Sequence, residues 1–141
     1  MQLWKKLYCT VWLAFFSCVL ISRWMGPYAG WPIHVLLGVA LLVMTQSNSR
    51  RLTALPVPPR LQRISKVTAV LSVFQIISGL VVGAVAYWDL NPPVIGQLLY
   101  GVHVVCALAI LAQASSVATA YDMWEEKEFG TAALPSNAEN L

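Results

Sequence analysis

The chain has 141 residues, of which 58% are hydrophobic and only 11% charged, with a net charge of +3. A water-soluble domain carries about a quarter charged residues, so this surface is expected to face lipid, and the length suits one domain. The basic residues flank apolar runs and form no face or stripe, which excludes nucleic acid as a partner.

Four apolar stretches are predicted in chain order: about Leu7–Met25, Trp31–Ser47, Val67–Trp88 and Val94–Tyr121. A bilayer-spanning helix takes about 20 residues, and the second stretch, a little short, would stand near-upright. The first begins after Lys5 and Lys6 but is longer than a signal-peptide core. It ends on Arg23-Trp24-Met25-Gly26-Pro27, with no small-residue cleavage site, so a retained helix is expected. Gly26-Pro27 and Asn91-Pro92-Pro93 break the chain inside each of two helical hairpins. Pro56-Val57-Pro58-Pro59 stiffens the loop that joins the hairpins. The fold class predicted is all-α: an integral membrane four-helix bundle over residues 1–124, followed by a polar cytoplasmic tail, 125–141.

Orientation follows the basic residues. Lys5 and Lys6 precede helix one, Arg50, Arg51, Arg60, Arg63 and Lys66 lie in the middle loop, and Lys127 follows helix four. Only Arg23 falls on the other side. Both termini are therefore expected in the cytoplasm and the two tight turns outside, in the plasma membrane. Trp24, Trp31, Tyr87 and Trp88 mark the outer ends, and Trp4, Tyr8, Tyr121 and Trp124 the inner ends, as interfacial aromatic belts. Cys9, Cys18 and Cys106 lie inside apolar runs without C-x-x-C spacing and are expected to be buried thiols.

The chain has two histidines, His34 and His103. Each is followed by Val and has a small residue one turn on, Gly38 or Ala107. Counted back from Arg50 and Asp122, their depths differ by about 5 Å at 1.5 Å per residue. An imidazole in hydrocarbon is costly without a partner. Two at one depth on parallel helices suit the axial positions of one haem iron, with Gly38 and Ala107 leaving space for the porphyrin. Hydrogen bonding between helices is the other explanation. Zinc would need further ligands. In helix three, Gly79-x-x-x-Gly83 forms a small-residue face, which suits close helix packing or a flat ligand. Gln75 on the same helix is a buried amide that needs a hydrogen-bond partner. Arg23 is a candidate partner for a haem propionate, or else an interfacial snorkelling residue.

His34-x-x-x-Gly38, Gln75-x-x-x-Gly79, the turn at Pro92-Pro93 and His103 opening helix four together resemble one half of haem A synthase, over roughly residues 30–115. The family's halves are four-helix bundles with a His near the outer ends of the second and fourth helices. Its Arg after the first His is replaced here by Val35, and its catalytic Glu, one turn before, by Gly30 and Trp31. The paired outer-loop cysteines are missing. The resemblance thus implies haem binding through His34 and His103 and does not extend to the family's methyl-oxidising chemistry; no catalytic residue is identified.

The function expected is a membrane b-type cytochrome with one haem b per chain, for electron transfer or haem handling in a respiratory chain. A compact, dimeric haem A synthase and a cofactor-free subunit of a respiratory complex are the alternatives. Beyond the lipid bilayer, the partners expected are further copies of the chain or the subunits of a larger respiratory membrane complex. The apparent small-residue face at Gly79 and Gly83 points to helix-mediated assembly.

Overall fold

The computed structural model describes residues 2–19, 27–87 and 93–130. These form four helices: α1 Leu3–Val19, α2 Pro27–Ala54, α3 Pro59–Tyr87 and α4 Pro93–Gly130. Three of the four begin on proline. Proline suits the first helical position because its φ is already helical and its missing N–H would have no partner there. Pro27, Pro59 and Pro93 therefore start helices as well as ending the preceding segments.

Every helix is packed on its two neighbours in the cycle α1–α2–α3–α4–α1, while the diagonal pairs α1/α3 and α2/α4 do not approach closely. The result is an up-down-up-down four-helix bundle, which agrees with the all-α, four-helix part of the prediction. The helices are longer than the apolar runs. The connection between α2 and α3 shrinks to Leu55–Pro58. Arg50 and Arg51 lie in the last turns of α2, and Arg60, Arg63 and Lys66 in the first two turns of α3, so these are helical residues and not loop residues. Likewise α4 runs to Gly130 and takes in the first part of the predicted tail; 131–141 lie outside the described residues. Hydropathy marks where a helix meets lipid, whereas the helix itself continues until the backbone meets a breaker.

The buried residues are arranged unusually. An apolar cluster of Leu7, Leu52, Val57, Leu61, Val117, Ala118 and Tyr121 closes the end of the bundle that holds the N-terminus. A second, around Ala14, Leu41 and Ile110, lies further along. Between and beside them the interior is polar: Thr10, Ser17, Thr45, Asn48, Ser49, Ser65, Thr68 and Ser72 are all buried. The hydroxyls satisfy themselves largely on their own helices, as Thr10 does by donating to the Lys6 carbonyl at 2.8 Å. Others tie one helix to the next. Asn48 Nδ2 donates to Thr10 Oγ1 at 2.8 Å, Thr45 Oγ1 and Ser72 Oγ meet at 2.8 Å, and Thr68 Oγ1 donates to Gln113 Oε1 at 3.0 Å. Tyr8 Oη donates to Asp122 Oδ2 at 3.4 Å and links α1 to α4. Every neighbouring pair in the cycle thus has a side-chain hydrogen bond across it.

The outside is the converse. Leu36, Val70, Leu98 and Val105 are each two-thirds exposed. Trp12, Phe15 and Phe16 cluster on the outer face of α1, with Trp12 stacked on Phe16 at 5.8 Å between centroids and Phe15 edge-on to both. Two helical stretches, Pro59–Ala86 and Val94–Glu128, are long and apolar enough to cross a membrane, and only 11% and 6% of their most apolar windows are buried. Over its described residues α1 is shorter, at 17 residues, and the apolar run of α2 is interrupted by His34 and the polar residues from Thr45 onward.

Candidate functional site: the histidine pair

His34 lies two turns into α2 and His103 about three turns into α4, on diagonally opposed helices. Their imidazoles meet across the bundle with ring centroids 6.1 Å apart and planes at 61°. The structure therefore brings together the two histidines that the sequence singled out, from helices that share no backbone contact of their own.

His103 is held by α3. Ser78 Oγ lies 3.0 Å from Nδ1, and Gln75 Nε2 lies 3.0 Å from Nε2. Gln75, Ser78 and Gly79 face α4 together because they fall within one turn of α3. The expected partner of the Gln75 amide is thus the imidazole of His103. Its Oε1 remains buried without a hydrogen bond.

Two glycines are placed by what an added side chain would meet. A Cβ on Gly79 would lie 2.9 Å from His103 Cε1, closer than packed carbons come, so the absent side chain is what seats the imidazole against α3. Gly79 thus serves close packing between α3 and α4, the first of the two roles expected of it, and is not part of a free outer face. A Cβ on Gly38 would meet the tip of Ile76 at 3.2 Å, so this glycine admits a side chain from α3. Ala107 is half-buried one turn along from His103. Arg23 lies outside the described residues, as do Trp24 and Trp88. At the opposite end, Trp4 packs edge-on to Tyr8 and Tyr121 is tilted on Trp124. Cys9 is exposed, Cys18 and Cys106 half-buried, and all three are free thiols, so none is the fully buried residue expected. Among the described residues, no three of His, Cys, Asp and Glu gather to hold a metal.

The packing around the histidines differs from that of the other end. Beyond Ser17, Leu41, Ser72 and Ile110, no described side chain is buried. Both histidines lie in this less buried half. Ser78 is the residue whose role sequence reasoning did not assign; the signal was its place between Gln75 and Gly79, on the face that carries both.

No family model, curated protein or solved structure matches this chain.

Proposed function

We propose that the protein is a membrane b-type cytochrome that holds one haem b between His34 and His103. Four helices with polar residues inside and large apolar side chains outside are arranged for lipid, where interhelical hydrogen bonds replace a hydrophobic core. The distribution of basic residues puts both termini in the cytoplasm and the histidine half of the bundle toward the outer face of the plasma membrane.

The observation that carries the cofactor is the 6.1 Å between the imidazole centroids. A metal–imidazole bond is about 2.0–2.1 Å long, so imidazoles at this separation are near enough to share one metal once a nitrogen of each is turned toward it. The histidines stand on diagonal helices, in the half of the bundle where no described side chain is fully buried, and could reach one group from two sides. Gln75 must withdraw from His103 Nε2 for that nitrogen to serve as a ligand. It is already only half-bonded, because its Oε1 has no partner.

The haem supplies the one-electron couple. His34 and His103 would hold and orient it, and a haem held by two imidazoles would be suited to electron transfer more than to oxygen chemistry. The apolar helix exteriors keep the site in a low dielectric. The resemblance to half of haem A synthase supports haem binding, and the replacement of its catalytic Glu and neighbouring Arg argues against its oxidation chemistry. Donor and acceptor are sought among respiratory membrane components, with further copies or other subunits completing the assembly.

The hydrogen bonds from Gln75 and Ser78 favour a second reading, in which His103 is a polar tie between α3 and α4 in a cofactor-free subunit. A dithionite-reduced absorption spectrum with a pyridine haemochrome assay on the purified protein separates the two. Haem b with a low-spin, six-coordinate spectrum supports the cytochrome; colourless protein overturns it. Haem A or a hydroxylated haem in the same extract would instead indicate a haem-modifying enzyme.

A further inference from the structure

The hydrogen bonds around His103 form a directed chain. The Ser78 hydroxyl donates its single proton to the Gln75 carbonyl at 3.0 Å. With that proton on the main-chain carbonyl of Gln75, Ser78 Oγ accepts from His103 Nδ1, 3.0 Å away. In this arrangement Nδ1 carries the imidazole proton. A neutral imidazole has one donor and one acceptor nitrogen, so Nε2 holds the lone pair and accepts from Gln75 Nε2–H at 3.0 Å. Gln75 is aligned for this one role, with its Oε1 left unbonded. Gly79 completes the arrangement, since its missing side chain lets the ring approach α3 closely enough for both bonds.

We propose that Ser78 is a positioning residue that fixes His103 as the Nδ1–H tautomer and so presents Nε2 as the ligating nitrogen. Ser78 sets the tautomer, and Gln75 occupies Nε2 until a metal takes it. Without Ser78, the Nδ1–H form loses its acceptor. The Gln75 amide can then turn over, so that its Oε1 accepts from an Nε2–H, and the lone pair moves to the side facing away from a ligand. In the loaded protein, a proposal that rests on the cytochrome reading, the Nδ1–H to Ser78 bond makes the imidazole a stronger donor, as partners behind metal-bound histidines do. That favours the oxidised iron and lowers the midpoint potential.

The chain has only two histidines, so 15N-histidine NMR of the full-length, haem-free protein in nanodiscs reports the tautomer directly, with His34→Gln assigning the signals. The wild type is expected to show His103 protonated at Nδ1 and bare at Nε2. Ser78→Ala should shift it toward the Nε2–H form, and Ser78→Thr, which keeps the hydroxyl, should restore the wild-type pattern. An Nε2–H wild type, or a Ser78→Ala spectrum identical to it, overturns the proposal. A second arm uses haem. Ser78→Ala should bind haem b about 10–100-fold more weakly and show a raised midpoint potential in a spectroelectrochemical titration. An unchanged affinity and potential would overturn the tuning role while leaving the cytochrome reading intact. If the wild type binds no haem, the cytochrome reading fails, and the NMR arm still decides the role of Ser78.

Discussion

His103 and its neighbours show how much a single missing atom can decide. At Gly79 an added Cβ would press on the imidazole at 2.9 Å, whereas at Gly38 it would meet only the flexible end of Ile76 at 3.2 Å. Gly79→Ala is therefore expected to destabilise the bundle by about 1–3 kcal/mol, the usual range for overpacking, and to displace His103 from Ser78 and Gln75. Gly38→Ala should be nearly neutral. Thermal unfolding of the two variants in nanodiscs checks the contrast, and equal effects would mean that the glycines are interchangeable spacers. At the same scale, His34→Ala and His103→Ala should each abolish a low-spin haem spectrum, because one imidazole leaves the iron five-coordinate or lost. A six-coordinate low-spin spectrum surviving in either variant would end the shared-iron proposal.

The elements are held together by polar contacts at every interface of the cycle. Asn48 is the strongest case: it is buried, its Nδ2 donates to Thr10 on α1 at 2.8 Å, and its Oδ1 has no partner. It lines a small cavity of about 20 Å³ with Thr10, Thr45, Ser65 and Thr68. Asn48→Ala removes the bond that ties α2 to α1. The cost expected is about 0.6 kcal/mol and at most about 2, because the unfolded chain in a membrane also finds partners for polar groups. Reversible unfolding in mixed micelles measures it. A loss well above that range would show that the whole Thr10–Asn48 neighbourhood acts as one unit. Helix length matters at this scale too. α4 has 38 residues, about 57 Å at 1.5 Å per residue, which exceeds a hydrocarbon core of about 30 Å. Its last turns, with Glu126, Lys127 and Glu128 exposed, are expected to stand in water.

For the whole molecule, the apolar exterior and the charge asymmetry lead to two expectations. A reporter active only outside the cytoplasm should work when fused after Asp89 and fail when fused after Pro58. The reverse pattern would invert the proposed orientation and place the histidines near the inner face. The second concerns assembly. Gly79 cannot supply the contact face, because it is packed on His103. The exposed aromatic cluster of Trp12, Phe15 and Phe16 on α1 is now the stronger candidate. Crosslinking of single cysteines placed along α1, in a cysteine-free background, should yield dimers preferentially on the face of Trp12. A monomer at all positions would count against helix-mediated self-association.

Much was legible in the chain itself. Long apolar runs punctuated by Gly-Pro and Pro-Pro can satisfy their backbone groups in lipid only as helices, so the four helices and their order follow from composition alone. The two histidines at similar depth followed from counting residues at a constant rise. Helix ends were less legible, because polar residues after an apolar run, such as Arg60 or Glu126, prolong a helix as readily as they end it. The roles of Ser78, Gly79 and Gly38 were decided only by tertiary structure. A hydroxyl's direction and the clearance at a Cα depend on which side chain arrives from the neighbouring helix, and nothing along α3 or α2 alone encodes that. The polar interior has the same origin: Thr10, Asn48, Thr45 and Ser72 lie far apart in the chain and became one network when the bundle closed.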